Sequence, residues 1–221
     1  MGAGANELLV WASGPGLAIA LAVCLAGIAL RLFEIFALGR LPDLAAPRAV
    51  TPGSGMRTVW TRSLPPQGML RRSPFTYLGG YVFHVGFLVV VIFAVPHIAV
   101  LRDLAGIGWP GLPEAVIDAA AVTAIAALAV LLASRLLDPV RRLLSGFGDY
   151  FAWALSMLPL LTGYAAHHGL YSDYALLLAL HVLSAEALMV ALPFSRLAHA
   201  FTLFIARWYN GDISARKGVA S

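Results

Sequence analysis

The chain has 221 residues, 60% of them hydrophobic and only 12% charged, with a formal net charge of +4 carried by fourteen arginines and one lysine against eleven acids. So much apolar surface exceeds what a water-soluble domain of this size can bury and implies a lipid-embedded, all-α protein. A single cysteine, Cys24, excludes an internal disulfide, a thiolate-ligated iron–sulfur cluster and, with no Cys-x-x-Cys-His, a covalent c-type haem.

The N-terminus has no Lys or Arg between Met1 and Gly16, so it lacks the basic n-region of a secretory signal. Leu21-Ala22-Val23-Cys24 resembles a lipoprotein box, but valine before the cysteine is too bulky, and the first apolar run is read as a retained helix. Five runs approach the ~20 residues a crossing needs: Leu17–Leu38, Tyr77–Leu101, Ala115–Leu137, Asp149–His168 and Tyr174–Leu197. They predict a five-transmembrane-helix bundle over residues 1–205. Between the first two runs, Gly39 to Pro74 is rich in Pro, Gly and Arg and reads as a surface loop with at most a short amphipathic turn. Residues 206–221 read as a short, polar, mobile tail.

Arginines set the expected orientation. Arg40, Arg48, Arg57, Arg62, Arg71 and Arg72 lie in the first connection. Arg135, Arg141 and Arg142 flank the third, and Arg207, Arg216 and Lys217 lie in the tail; the other side has only Arg102. The positive-inside rule places the N-terminus outside and the C-terminus in the cytoplasm of a prokaryotic plasma (inner) membrane protein.

Histidines carry the chemistry. His181 and His199 are 18 positions apart. In one unbroken helix that is five turns at about 100° per residue, so both imidazoles share a face roughly 27 Å apart, close to a bilayer's hydrocarbon thickness. In the expected topology His84 falls at the inner depth with His199, and His97 at the outer depth with His181. Neutral imidazole is an axial ligand for haem iron, and two facing pairs suit two stacked b haems. His97 lies 13 residues after His84, about 140° off its face in a regular helix, and Pro96 is the residue able to re-aim it. His167 and His168 at the end of the fourth run compete with His97 as the fourth ligand.

Other polar groups have paired readings. Arg31 meets either Glu34 or a haem propionate; Arg135, Arg142 and Arg196 either contact propionates or snorkel to lipid phosphates. Glu186 is either a proton acceptor inside the fifth run or a helix–helix hydrogen-bond partner, and His167 and His168 are further relay candidates. Aromatics near the run ends fit interfacial belts, and the basic loops fit membrane orientation rather than nucleic acid.

Two stretches, Val82-Phe83-His84-Val85-Gly86 and Pro193-Phe194-Ser195-Arg196-Leu197-Ala198-His199, join the 18-residue spacing and Leu30-Arg31 in a pattern that resembles the gamma subunit of respiratory nitrate reductase. Related membrane cytochromes b serve sulfur-metabolism and heterodisulfide-reductase-type complexes. The resemblance runs from Leu17 to about Leu203. It implies a five-helix dihaem anchor that oxidises quinol and hands electrons to a cytoplasmic iron–sulfur or catalytic subunit, with His84 and His199 on the inner haem and His181 on the outer. Ten residues after His84, where the family pattern has its fourth ligand, this chain has Ala94, with His97 three further on. Arg57, Arg62, Arg71, Arg72 and the segment after Phe201 are candidate partner contacts. Two other expectations stand beside this one: a haem-free scaffold or proton-conducting transporter, and a cytochrome with the inner haem alone.

Overall fold

Every apolar run closes into helix in the computed structural model, which describes residues 3–38, 47–48, 52–65 and 67–219; no strand occurs among them. Arg40, counted above for orientation, lies outside the described residues. Among the described residues four helical stretches are long and apolar enough to cross a membrane, namely Gly4–Ala37, Pro74–Phe93, Glu114–Leu137 and Tyr174–Phe194. The chain has the build of a membrane protein.

The first stretch starts earlier than the apolar run suggests. Helix α1 (Ala3–Trp11) continues through a π-helical turn at Ala12–Gly16 into α2 (Leu17–Ala37). Pro15 lies in that turn and lacks the N–H and the clearance for a regular i→i−4 bond, so the wider turn absorbs it without ending the helix. The Leu17 N–H reaches back to the Ala12 carbonyl. In the connection that follows, α3 (Ser54–Thr61) and α4 (Gln67–Arg72) form where a loop was expected.

Helix α5 (Pro74–Phe93) stops at Ala94, and α6 (Val95–Ala105) restarts at once; the second apolar run is therefore two helices. Helix α7 (Glu114–Leu137) and the short α8 (Pro139–Leu144) lead to α9 (Phe147–His167). At 21 residues α9 has the length to span, but Trp153, Ser156, Thr162 and Gly163 dilute its apolarity. One side of it is buried and the other, with Phe147, Leu158 and Leu161, is exposed. Leu155, Met157, Pro159, Leu160 and Ala166 are buried, Ser156 and Thr162 turn their hydroxyls onto their own helix, and Trp153 Nε1 donates to the Leu128 carbonyl at 2.9 Å.

Helix α10 (Tyr174–Ala191) ends in a 3₁₀ turn at Leu192–Phe194, an extended Ser195 and a second 3₁₀ turn at Arg196–Ala198, after which α11 (His199–Arg216) begins. The unbroken helix assumed for the His181–His199 spacing is thus interrupted. Pro193 cannot donate to the helix ladder, and the Ser195 hydroxyl accepts the Leu197 N–H to start the next turn. The segment read as a mobile tail is helical to Arg216.

The chain divides into two compact units, one of Met1–Ile19 with Ser73–Leu188, the other of Ala20–Arg72 with Met189–Ser221. In the first, Ala124 and Leu128 of α7 pack on Met157 and Leu160 of α9, bordered by Phe83, Phe87 and Trp153. Helix α5 lies close on α7: a Cβ at Gly86 would fall 2.7 Å from the Ala120 carbonyl oxygen. Small residues allow that approach, which is how membrane helices gain packing without a hydrophobic driving force. In the second unit α3 lies on α11, with Gly55 against Trp208 and Arg207 Nη1 donating to Ser63 Oγ at 2.8 Å. Beside them an apolar cavity of about 620 Å³ is lined by Phe36, Met56, Trp60, Phe204 and Trp208. Arg57, Arg62, Arg71 and Arg72 are exposed.

Candidate functional site: paired histidines

The break after α5 decides where His97 points. Ala94 adopts an extended conformation (φ −69°, ψ 128°), and Pro96 takes the second position of α6, where a missing N–H costs nothing. Breaking a helix inside apolar surroundings frees carbonyls that need donors. Three of them find one. Trp109 Nε1 donates to Ile92 O at 2.9 Å, the Leu112 N–H donates to Phe93 O at 3.2 Å, and Val90 O takes both the Ala94 N–H and His97 Nδ1, the latter at 3.0 Å. The loop between α6 and α7 and the imidazole itself complete the broken ladder. His97 is therefore clamped through Nδ1, which leaves the lone pair on Nε2.

His181 projects from α10 onto α9. A Cβ at Gly163 would sit 2.8 Å from His181 Cε1, so a glycine is required for the ring to lie there. His181 Nδ1 is 3.4 Å from the Thr162 hydroxyl, and the ring hydrogen-bonds to the Pro159 carbonyl. The imidazoles of His97 and His181 face one another with centroids 6.0 Å apart and planes 20° from parallel. Two imidazoles sharing one metal at about 2 Å each place their ring centres roughly 6 Å apart, and metal-binding histidines characteristically donate the other ring N–H to a carbonyl or hydroxyl. Donor type and the Nδ1 clamp of His97 are those of an axial metal ligand; the two rings themselves are stacked.

The other two histidines show the same clamp. His84 Nδ1 donates to Gly80 O at 2.7 Å within α5, and Phe83 meets its ring edge-on at 4.8 Å. His199 Nδ1 donates to Arg196 O at 2.7 Å, a bond made possible by the turn that interrupts the helix before it. The first belongs to one compact unit and the second to the other.

His167 and His168 are used differently. Helix α9 ends in a Schellman motif, with Gly169 at φ 58° and the Leu170 N–H returning to Ala165 O at 3.0 Å, which leaves both rings at its final turn. Their Nε2 atoms bond carboxylates at the start of α7, His167 to Glu114 at 3.0 Å and His168 to Asp118 at 3.1 Å. Neither Glu114 nor Asp118 stood out in the sequence; their four-residue spacing opposite a His-His pair was the available signal.

Among the arginines, Arg31 pairs with Glu34 at 2.8 Å and donates through Nε to Pro193 O at 3.1 Å. Arg135 bridges Asp149 at 3.1 Å and Ser145 at 2.9 Å. Arg142 is exposed on α8, and Arg196 starts the turn that positions His199. Glu186 is the exception to the general satisfaction of polar groups. Only 7% exposed, its Oε1 has no hydrogen-bond partner among the described residues, and it lies against the π-turn, where a Cβ at Gly16 would come within 2.9 Å of that oxygen and 2.8 Å of the Trp11 ring.

The chain is 33% identical over 155 residues to a protein of Nitratidesulfovibrio vulgaris (strain Hildenborough), an alignment covering 68% of this chain and 67% of that one. The two chains belong to one family. The relative's name, "Protein", assigns no activity to the kinship. No family model matches the chain.

Proposed function

We propose that this chain is a five-span membrane cytochrome b of a prokaryotic inner membrane, N-terminus outside and C-terminus cytoplasmic, with α9 as the fifth span. It carries two b haems, an outer one between His97 and His181 and an inner one on His84 and His199. The observation that carries the reading is the His97–His181 pair: two clamped imidazoles at 6.0 Å, facing each other at the end of a helix that breaks to allow it. A bound b haem supplies one-electron transfer at each site.

The chain's own residues do the rest. Carbonyls of Val90, Gly80 and Arg196, and Pro159 with Thr162, orient the imidazoles. Oxidation of a quinol to a quinone releases two electrons and two protons; Glu186, whose Oε1 is buried inside a span, accepts one proton and the other leaves to water. Electrons leave through the inner site to a cytoplasmic iron–sulfur or catalytic subunit, for which the exposed Arg57, Arg62, Arg71 and Arg72 offer a cationic landing surface.

The test is a reduced-minus-oxidised optical spectrum of the purified protein, expressed with ample haem, with haem counted per chain as the pyridine haemochrome. Two b haems are expected. One would remove one of the two sites, and none would replace the cytochrome by a haem-free proton-conducting or scaffold protein.

A further inference from the structure

We propose that His167 and His168, with Asp118 and Glu114, bind a divalent transition-metal ion of zinc-like chemistry that ties the start of α7 to the end of α9. The ligating atoms of Asp118, His167 and His168 all lie within 4.8 Å of one another. The two closest nitrogen–oxygen separations, 3.0 Å for His167–Glu114 and 3.1 Å for His168–Asp118, are already near the roughly 3.3 Å that separates two ligands each about 2 Å from a tetrahedral metal. Asp118 Oδ1 also lies 3.9 Å from His167 Nε2, so both ring nitrogens converge on one carboxylate oxygen. That convergence is what a shared ion asks of its ligands.

The donors match as well. Two imidazoles and the Asp118 carboxylate give a convergent N₂O set, with Glu114 beside His167 as a further carboxylate, and imidazole with carboxylate selects zinc and its neighbours over calcium or magnesium. Tyr164 packs on His168 with centroids 4.4 Å apart, and the two histidine rings meet edge to face at 5.0 Å, which fixes their orientations. The cluster is partly open, with Glu114 72% exposed, so an ion reaches it from outside the protein and water can complete the coordination. The alternative is a pair of ion pairs that complement the α7 and α9 helix ends with no metal. The inference does not rest on the haem reading.

The experiment titrates Co²⁺, then Zn²⁺, into the untagged full-length protein in lipid nanodiscs, with haem counted on the same samples. Expected are one Co²⁺ per chain, the visible ligand-field bands of a low-coordinate nitrogen–oxygen site, and their loss when Zn²⁺ displaces the probe. Asp118→Asn, which keeps the carboxylate's shape, and His168→Ala should each weaken binding at least about tenfold. Absence of stoichiometric binding in the wild type, or binding unchanged in Asp118→Asn and in His168→Ala, would overturn the site, whatever the haem count.

Discussion

Gly163 lies directly beneath the imidazole of His181: a methyl group on its Cα would come within 2.8 Å of Cε1 and 3.0 Å of Nδ1. The ring cannot keep its place above anything larger. Gly163→Ala should therefore displace His181 and lower occupancy of the outer haem while leaving the inner one. Gly68→Ala in α4 is the control, since a Cβ there meets nothing within 4 Å. Haem counts near one and two per chain, respectively, are expected; equal counts would show that the ring's seat does not govern the site.

His97 and His167 offer a direct comparison between two candidate outer ligands. His97→Ala should remove one b haem from the spectrum and shift the potentiometric titration to a single component. His167→Ala should leave both components, because its Nε2 is committed to Glu114. The opposite pattern would move the outer site to the end of α9.

Glu186 joins stability to function. Removing a carboxyl whose buried Oε1 has no partner among the described residues relieves a desolvation cost of about 1–3 kcal/mol, so Glu186→Leu, of similar volume, should melt no lower than the wild type. Quinol-driven reduction of the protein should nevertheless slow by about tenfold or more in both Glu186→Leu and Glu186→Gln, within the range a positioned proton acceptor contributes. An unchanged rate in Glu186→Gln, measured by stopped-flow absorbance, would remove the proton-accepting role.

The α5–α7 contact predicts a purely structural defect. Gly86→Ala places a Cβ 2.7 Å from the Ala120 carbonyl oxygen, a backbone atom that cannot swing aside. Overpacking of this kind costs about 1–3 kcal/mol, so the thermal midpoint in detergent should fall. At Gly4, where nothing lies within 4 Å, the same change should be silent.

Orientation can be checked with reporters fused at the two ends. A fluorescent protein that matures only in the cytoplasm should glow at the C-terminus, and a periplasmic phosphatase should be active at the N-terminus. Both reporters reporting the same side would contradict five spans.

Much of the architecture was legible in the residues. Apolar length is a local property, so the long helices in α2, α5, α7 and α10 follow from composition alone, and histidine is a plain signal in a hydrophobic run. The failures fall where the backbone departs from regular helix. Gly14-Pro15-Gly16 precedes the first apolar run and is a π-turn inside a longer helix; Ala94 reads as mid-helix and is the break; Pro193 and Ser195 interrupt the helix that the 18-residue spacing took as continuous. In each case a proline signals trouble, but whether the chain widens, kinks or restarts depends on which donors reach the freed carbonyls.

Hydrophobicity and residue type need no partner to be read, and they alone make this a helical, apolar, membrane-type chain with six histidines in or beside its apolar runs. Only the tertiary structure decided that His97 meets His181, that Gly163 makes room for it, that Oε1 of Glu186 is left without a partner among the described residues and that Glu114 and Asp118 face His167 and His168. The pairs among them are 18 to 84 positions apart in the chain. No local pattern encodes them, because each is set by how closely two helix backbones approach and by where an interrupted ladder of hydrogen bonds finds its donors.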